Sequence, residues 1–276
     1  MLEVEGVTFT YPHAPREAVK NLTWTVFPGE TWAVVGRNGS GKSTLALLLN
    51  GILKPQKGRV RVEGLDTREE GNLKEIRRWV GVVFQDPDNQ LIAQTVEEDV
   101  AFGLENLGLP PEAIRQRVEE ILDLLDLRVL RHRPPARLSG GQKQRVALAG
   151  ILVMEPRYLI LDEATAMLDP VTREEIWDLL FRWKRERDIS LVFITHNMEE
   201  ASLAEKMLVL REGEVFLKGS SREILEEQEK LREAGLRAPS LIDLGQRLRA
   251  RGIEVPPGMA SPREMARALW SLGWKR

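Results

Sequence analysis

The sequence predicts an α/β fold with four parts: a mixed, largely parallel central sheet, an antiparallel β subdomain, an inserted α-helical subdomain and a small helical C-terminal extension. Two observations lead to this prediction. Apolar runs that do not alternate are typical of buried parallel strands, and alternating runs are typical of strands with one exposed face. Both kinds occur here, and a helix-rich stretch separates two of the unalternating runs. The length of 276 residues, 42% of them hydrophobic, suits one large domain with an appendage.

The alternating runs should form the antiparallel sheet, and they cover residues 2–9, 22–27 and 58–64. The unalternating runs should form the central sheet, and they cover residues 31–35, 80–84, 158–161 and 191–194. In the helix-rich stretch we expect helices over residues 110–125 and 139–154. They define an inserted subdomain over residues 86–155, within a main domain that covers residues 1–225.

Composition excludes several classes of function. Lys and Arg total 40 against 42 Asp and Glu, without a basic block, which argues against a dedicated nucleic-acid binder. The absence of cysteine excludes disulfides, thiolate metal sites and a thiol nucleophile. No apolar run approaches the ~18 residues that span a bilayer, and the start lacks the features of a signal peptide. We therefore expect a cytoplasmic chain.

Residues 36–43 read Gly-Arg-Asn-Gly-Ser-Gly-Lys-Ser, which matches the Gly-x-x-x-x-Gly-Lys-Ser pattern between a predicted strand and a helix-like run over 44–50. Backbone N–H groups of such a loop bind phosphate oxygens, Lys42 neutralises the β/γ charge, and the Ser43 hydroxyl can ligate Mg²⁺. The sequence thus predicts a P-loop nucleoside triphosphatase core, and a chance glycine-rich turn is the alternative. The residues that we assign to this loop are Gly36, Asn38, Gly39, Ser40, Gly41, Lys42, Ser43 and Thr44.

A second phosphate-site element is the apolar run 158–161, which is followed by Asp162 and Glu163. An unpaired buried carboxylate is costly, so acids at the C-terminal end of a parallel strand should face a ligand or a metal. Asp162 fits the shell of a Mg²⁺ ion. Glu163 would then project towards the γ-phosphate and polarise the attacking water. A strand followed by an N-cap aspartate is the alternative.

The segment Leu-Ser-Gly-Gly-Gln over residues 138–142 predicts the start of a helix. Ser139 and Gln142 have the spacing of a capping box, and the glycines between them, including Gly141, let an anion approach the free N–H groups. On the helical insert, this second anion site cannot easily fold back onto its own phosphate loop. A second copy must therefore bring it, unless the segment is simply a capped helix.

With these motifs in order, residues 1–220 resemble an ATP-binding cassette (ABC) ATPase. The resemblance implies four further roles. Tyr11 would stack on adenine, Gln85 would link Mg²⁺ and the attacking water to the helical subdomain, Asp169 would cross a dimer interface, and His196 would contact the γ-phosphate. Without the resemblance, each has a plainer interpretation: a packing aromatic, a turn residue, a helix cap and a hydrogen-bonded histidine at a strand end.

A narrower resemblance lies in residues 85–90, 95–103 and 165–170, which are similar to the ATPases of energy-coupling factor (ECF) transporters, importers of vitamins and transition metals that include cobalt-type systems. Ala164 departs from the proline that many cassettes have there. The start of a short helix at Pro87 suggests a surface that grips a membrane partner, and an ordinary capped surface helix is the alternative. We expect the side chains of residues 89 and 90 to be its polar anchors.

The extension over residues 226–276 is predicted to contain two amphipathic helices. Leu241, Leu244 and Leu248 repeat at helical spacing, and Ser261 begins a capping box that Glu264 would complete. The resemblance implies that the extension holds two nucleotide domains together. Packing on the parent domain is the alternative that the residues leave open.

The sequence therefore predicts an ATPase that uses ATP and Mg²⁺ at the two interfaces of a head-to-tail dimer and powers an importer on the cytoplasmic face of a membrane. Each site would combine Lys42, Ser43, Gln85, Asp162, Glu163 and His196 of one subunit with Ser139, Gly141 and Gln142 of the other. The expected partners are a second, identical or paralogous ABC ATPase and integral membrane subunits, without nucleic acid. Two alternatives remain: a soluble ABC ATPase that acts on DNA or ribosomes, and a small-molecule P-loop kinase.

Overall fold

The computed structural model describes residues 1–272, so the last four residues of the predicted extension, 273–276, lie outside the described residues. The strands are β1 (Leu2–Phe9), β2 (Val19–Val26), β3 (Thr31–Val35), β4 (Lys57–Val62), β5 (Leu65–Asp66), β6 (Val80–Val83), β7 (Tyr158–Asp162), β8 (Ser190–Ile194), β9 (Lys206–Arg211) and β10 (Glu214–Ser220). The helices are α1 (Lys42–Leu49), α2 (Leu73–Trp79), α3 (Val96–Leu107), α4 (Pro111–Leu124), α5 (Gly140–Leu152), α6 (Pro170–Arg187), α7 (Met198–Ala201), α8 (Ser221–Glu226), α9 (Gln228–Glu233), α10 (Ser240–Ala250) and α11 (Pro262–Ser271).

The central sheet has six strands in the order β10-β9-β3-β8-β7-β6. Neighbouring strands from β9 to β6 are parallel, and β10 is antiparallel to β9. All four predicted parallel strands lie here as β3, β6, β7 and β8, which confirms the mixed α/β fold. The hairpin of β9 and β10 was not identified from the sequence. Its turn places Glu212 and Gly213 at positive φ angles of 52° and 84°.

The antiparallel subdomain is a four-stranded sheet in the order β2-β1-β4-β5. The predicted strands are present, although β2 begins three residues before the predicted start and β4 ends at Val62. The ladder between β1 and β4 is irregular between Glu5 and Thr8. Gly6 and Gly58 meet at this irregularity, with φ angles of 56° and 71°.

Two apolar cores cover the two faces of the central sheet. Trp32 and Val34 of β3 belong to the core that β1, β2, β4 and α1 complete. Ala33 and Val35 belong to the opposite core, which the helices from α3 to α6 complete. Because both faces of β3 are buried, the strand reads as a continuous apolar run. The loop that follows β3 is thereby fixed at the C-terminal edge of the sheet.

The inserted helices α3, α4 and α5 pack together, and α4 and α5 match the two predicted helices. A capping box of Thr95 and Glu98 begins α3, and Gly108 ends it in the left-handed conformation. The expected helix at Pro87 is only one turn of 3₁₀ helix, over Pro87–Asn89.

The C-terminal extension packs on its own chain in part. Leu231, Ala234, Leu236 and Ile242 belong to the core on the helical side of the central sheet. Beyond them, the structure has a separate small cluster formed by Val255, Met259 and Met265 with neighbouring apolar side chains.

The expected capping box at Ser261 is wrong. Ser261 is the N-cap of α11 and Pro262 follows it at the first helical position, but the Ser261 side chain makes no capping hydrogen bond. Glu264, which should have completed the box, instead accepts a hydrogen bond of 3.2 Å from the Arg222 guanidinium. The Glu264 carboxylate is thus used in an ion pair with α8 and not in a bond to the Ser261 N–H.

Across residues 1–272, none of the helices combines the length and the apolar character that a transmembrane span requires.

We expect Gly58→Ala to destabilise the protein far more than Gly64→Ala, although both glycines have positive φ angles. A Cβ atom at Gly58 would lie 2.3 Å from the Glu5 carbonyl oxygen, whereas a Cβ atom at Gly64 would have nothing within 4 Å. Both variants place alanine at a positive φ angle and so share backbone strain. Only Gly58→Ala adds a steric clash, which should lower the free energy of unfolding by a further ~1–3 kcal/mol. In thermal unfolding, Gly58→Ala should melt roughly 3–10 °C below Gly64→Ala. Equal melting temperatures would contradict the close approach of β1 and β4.

Candidate functional site

The predicted site residues of the nucleotide-binding half gather at the C-terminal edge of the central sheet. The phosphate loop follows β3, and Gln85, Glu163 and His196 each lie two residues or fewer beyond the ends of β6, β7 and β8. These strands are parallel neighbours, so their C-terminal ends meet at one edge. Ligands of open α/β sheets bind at this edge.

The phosphate loop requires glycine at two positions. A Cβ atom at Gly36 would lie 2.4 Å from the Leu210 carbonyl oxygen, and one at Gly41, where φ is 98°, would lie 2.3 Å from the Ala18 carbonyl oxygen. The loop is therefore pressed between β9 and the start of β2. Its N–H groups stand at the start of α1, where the helix dipole favours an anion.

Lys42 is held inside this loop. Its ammonium donates hydrogen bonds of 2.9 Å to the Gly36 carbonyl oxygen and 3.1 Å to the Arg37 carbonyl oxygen. The residue is only 6% exposed. Burial lowers the pKa of Lys42, and the nearby charges of Glu163 and Asp162 oppose that shift.

Asp162, at the end of β7, is also 6% exposed. Burial raises the pKa of its carboxyl group, the neighbouring Ser43 hydroxyl lowers it, the charge of Glu163 raises it, and Lys42 lowers it again. Within residues 1–272, Asp162 Oδ1 is buried without a hydrogen-bond donor. A carboxylate and a hydroxyl oxygen are ligands that Mg²⁺ prefers. The residues present therefore fit a Mg²⁺ ion.

Both carboxylate oxygens of Glu163 are contacted. The Gln85 side-chain amide donates a hydrogen bond of 3.1 Å to Glu163 Oε2, and His196 Nδ1 lies 3.1 Å from Glu163 Oε1. The Glu163 side chain is 13% exposed and that of His196 is 63% exposed. Glu163 also has a left-handed φ of 49°, which turns the chain sharply after β7. Three loops from three strands thus converge on one carboxylate.

Tyr11 lies beside the start of α1. Its ring meets Phe9 edge-on at a centroid distance of 5.0 Å, and its hydroxyl lies 3.3 Å from Thr44 Oγ1. The ring is also 39% exposed. The residue therefore packs, as its plainer interpretation holds, and still offers an open aromatic surface next to the phosphate loop.

Ser139 and Gln142 form the capping box that the sequence predicted. The Ser139 hydroxyl accepts from the Gln142 N–H at 3.3 Å, and Gln142 Oε1 accepts from the Ser139 N–H at 3.0 Å. A Cβ atom at Gly140 or Gly141 would meet only ordinary contacts, at 3.8 and 3.6 Å. Packing in this chain does not require these glycines. Among the described residues, no hydrogen bond or ion pair joins this segment to Lys42, Glu163 or His196.

Asp169 is a helix cap, as its plainer interpretation holds. Its carboxylate accepts hydrogen bonds of 3.1 Å from the N–H groups of Val171 and Thr172 at the start of α6. The hydrogen bond with Thr172 is the main cause that lowers the pKa of Asp169.

Side-chain contacts of two glutamines near the end of β6 are not predicted by the sequence. Gln90 Oε1 accepts from the Phe84 N–H at 3.1 Å, and Gln90 Nε2 donates to the Ala147 carbonyl oxygen at 3.2 Å. Gln144 of α5 donates to the Phe84 carbonyl oxygen at 3.4 Å. The Gln90 amide, expected to be a polar anchor for a membrane partner, instead joins the end of β6 to α5. The sequence offers one sign of these contacts: Gln144 is a polar residue on the buried face of a predicted helix, where its amide needs a hydrogen-bond partner.

Comparisons with known proteins agree with this geometry. Residues 19–166 match the family described as ABC transporter. The chain is 44% identical over 276 residues to the energy-coupling factor transporter ATP-binding protein EcfA1 of Geobacillus kaustophilus, covering 100% of this chain and 99% of that protein. It is 48% identical over 275 residues to EcfA1 of Symbiobacterium thermophilum, covering 97% and 96%.

Among solved structures, cbiO1 of Clostridium perfringens, part of the ABC transporter complex cbiONQ, is similar with a TM-score of 0.74 and 40% identity, over 89% of this chain and 98% of that one. The dimeric ATP-binding cassette MJ0796, in a post-hydrolysis state with ADP and phosphate bound, gives a TM-score of 0.75 and 32% identity, over 80% and 98%.

We expect Asp162→Asn to raise the melting temperature of the nucleotide-free protein at neutral pH and to abolish its stabilisation by Mg²⁺ with ATP. The folded-state pKa of Asp162 lies above its unfolded value, so the stability it contributes is present below the unfolded pKa and lost as pH rises through the folded pKa. A neutral amide escapes that loss, but it is a poorer ligand for Mg²⁺.

Asp66→Asn is the matched control for this measurement, because the hydrogen bond from Arg68 is the main cause that lowers the pKa of Asp66. That variant should not melt higher than the unchanged protein. A lower melting temperature for Asp162→Asn would contradict the assignment of burial as the dominant effect at that carboxylate.

Proposed function

Because this chain belongs to the ABC transporter family and is an ATPase of that family, we propose that it hydrolyses ATP to energise an ECF-type importer. The observation that supports this most strongly is the convergence of Gln85 and His196 on Glu163, beside Lys42 and Asp162. A carboxylate fixed from two sides at the phosphate edge is placed to orient water. Hydrolysis needs such a group and no acceptor substrate.

In the proposed mechanism, Glu163 polarises a water molecule that attacks the γ-phosphorus as the bond to the ADP oxygen breaks. Lys42 and the N–H groups of the phosphate loop neutralise charge on the phosphate oxygens. His196, which is exposed beside Glu163, contacts the γ-phosphate, and Tyr11 stacks on adenine. Ser43, Gln85 and Asp162 would hold Mg²⁺, which would supply further positive charge at the phosphates.

The second half of each site comes from another ABC ATPase subunit in this proposal. Ser139, Gly141 and Gln142 would present the start of α5 to the γ-phosphate held by the partner, and Asp169 would cross the interface. The glycines in this segment support the idea, because packing within the chain leaves them unexplained and an approaching anion explains them. Closing the dimer would complete the set of donors and so couple hydrolysis to motion.

We assign residues 1–225 to the nucleotide-binding domain, with a helical subdomain over 86–155, and residues 226–276 to an extension that contributes to pairing. The importer would carry a vitamin or a transition-metal ion such as cobalt. Its integral membrane subunits would hold this chain at the cytoplasmic face. The resemblance to ECF ATP-binding proteins over nearly the whole chain supports these assignments.

The membrane contact would lie where Gln85 leads to the surface. Gln90 fixes the segment after Gln85 to α5, and the Asp99 carboxylate then accepts hydrogen bonds of 2.9 Å from the N–H groups of both Ile92 and Ala93. The Ile92 side chain at the end of this rigid path is 64% exposed. An apolar side chain on a backbone held by two hydrogen bonds could serve as an anchor in the pocket of a partner, and this is the role that we propose for Ile92.

We expect Glu163→Gln to keep ATP binding and to slow hydrolysis by roughly 10²–10⁴ if Glu163 orients the water. The variant should also accumulate as an ATP-bound dimer in size-exclusion chromatography, because slow hydrolysis leaves the closed dimer without the step that opens it. Glu174→Gln, an exposed position on α6, is the control and should hydrolyse ATP normally. Hydrolysis by Glu163→Gln at the unchanged rate would assign the water to another group.

We expect Ile92→Asp to prevent co-purification with the membrane subunits and to leave the kcat of the isolated ATPase within about twofold, because a lone interface anchor contributes ~2 kcal/mol or more to docking. Phe27→Asp, at an exposed apolar residue next to β2, is the matched control and should co-purify normally. Both complexes would be isolated after co-expression with the genomically adjacent membrane proteins. Full assembly of the Ile92→Asp complex would remove this loop as the docking site.

A further inference from the structure

We propose that Glu200 is a positioning residue for ATP hydrolysis, which ties the loop carrying Glu163 and Asp169 to the segment carrying His196. The inference rests on the proposed function, because it takes Glu163 and His196 as the groups that act on the γ-phosphate and its water. Glu200 itself is 8% exposed and lies on α7, and its side chain accepts hydrogen bonds from Thr165 and Trp177, which are not part of the phosphate loop.

The Glu200 carboxylate joins three separate elements. Its Oε1 atom accepts hydrogen bonds from the Thr165 hydroxyl and, at 3.0 Å, from the Trp177 indole N–H. Thr165 lies two residues beyond Glu163, and Trp177 lies on α6. Both donors are buried, at 4% and 6% exposure. Removing the acceptor would therefore leave two buried donors unsatisfied, which costs more than one exposed hydrogen bond.

These contacts close a ring of interactions around the reaction edge. His196 Nδ1 contacts Glu163 Oε1 at one side of the ring. Asn197, the next residue, caps α7 by accepting from the N–H groups of Glu199 and Glu200 at 2.9 and 3.3 Å. Glu200 then returns to Thr165, two residues from the starting carboxylate. Each loop thus holds the other at two points, which restricts rotation as well as separation.

The far end of the same loop is held from α6. Arg173 Nε donates to the Thr165 carbonyl oxygen at 3.1 Å, and Arg173 Nη2 donates to the Leu168 carbonyl oxygen at 2.9 Å. Glu200 and Arg173 therefore grip Thr165 by its side chain and its backbone. Between them they fix the span from Glu163 to Asp169, so a movement of either end is transmitted to the other.

Both donors to Glu200 are neutral, so the contact depends on an acceptor oxygen and not on pairing with a cation. In this respect Glu200 differs from Glu163, whose negative charge would polarise the attacking water. A glutamine at position 200 keeps an oxygen for Thr165 and Trp177, whereas a methionine of similar length keeps none. A small displacement of the group that orients water is enough to slow a reaction about 10²-fold.

The test compares two variants of the full-length chain that each remove one donor to the same oxygen, Thr165→Val and Trp177→Phe. Hydrogen exchange of the amides of residues 164–169 and steady-state ATP hydrolysis are measured for both, together with melting temperature. For Thr165→Val we expect exchange to rise about tenfold or more and kcat to fall about tenfold, with KM for ATP within about twofold. Trp177→Phe should have a lower melting temperature than Thr165→Val, because it loses packing against Phe193. Its kcat and the hydrogen exchange of residues 164–169 should nevertheless stay within about twofold of the unchanged protein.

The Glu200→Gln and Glu200→Met pair completes the test. Glutamine should retain kcat within about threefold, and methionine should reproduce the loss seen with Thr165→Val. Unchanged loop exchange in Thr165→Val would overturn the proposal, and so would a fall in kcat that follows melting temperature equally across all four variants. Hydrogen exchange needs no turnover, so it reports on the Glu200 link even if Glu163→Gln shows that the proposed site is wrong.

Discussion

The burial of Lys42 and Asp162, beside the partly buried Glu163, at one edge of the central sheet is the constraint on which the rest of the structure depends. A charged side chain in a low-dielectric environment is costly unless partners compensate it, and here burial opposes the charged form of both Lys42 and Asp162. The two apolar cores provide the rigidity that keeps these groups in place despite this cost. A polyanionic ligand with a divalent cation would offset the cost of burying these charges. Binding of such a ligand is therefore favoured by the burial itself.

The two halves of the proposed composite site are constructed on different principles. At the phosphate loop, carbonyl oxygens of β9 and of the start of β2 leave no room for a side chain at Gly36 or Gly41, so the fold itself requires glycine there. At the start of α5, a side chain at Gly140 or Gly141 would meet only ordinary contacts, so packing within the chain does not require glycine there. One half is therefore determined by packing within a subunit. The other half is not determined in that way, which is the difference that the proposed composite site would exploit.

Features that rest on local chemistry could be predicted from the sequence. The buried strand β3, the phosphate loop after it and the capping box at Ser139 follow from apolar runs, glycine spacing and side-chain reach. Features decided by distant partners could not. The contacts of Gln90 are an example, because its amide bonds to Phe84 and to Ala147, which lies 57 positions away in the chain. The Glu264 carboxylate does not reach back to Ser261, because it is bound by Arg222, 42 positions earlier in the chain. The link from Glu200 to Thr165, across 35 positions, was hidden for the same reason.

The position of β3 in the sheet also has a consequence during synthesis on the ribosome. Both neighbours of β3, β8 and β9, belong to the last third of the chain, and the contact between Gly29 and Ser190 spans 161 positions. At a translation rate of ~5–20 residues per second, the strand before the phosphate loop waits roughly 8–30 s for its first partner. During that interval one face of β3, with Trp32 and Val34, can pack against the antiparallel sheet, but the strand lacks both of its neighbours in the central sheet. The nucleotide-binding edge, which needs the ends of β7 and β8, is therefore completed only late in synthesis, after the antiparallel sheet can assemble.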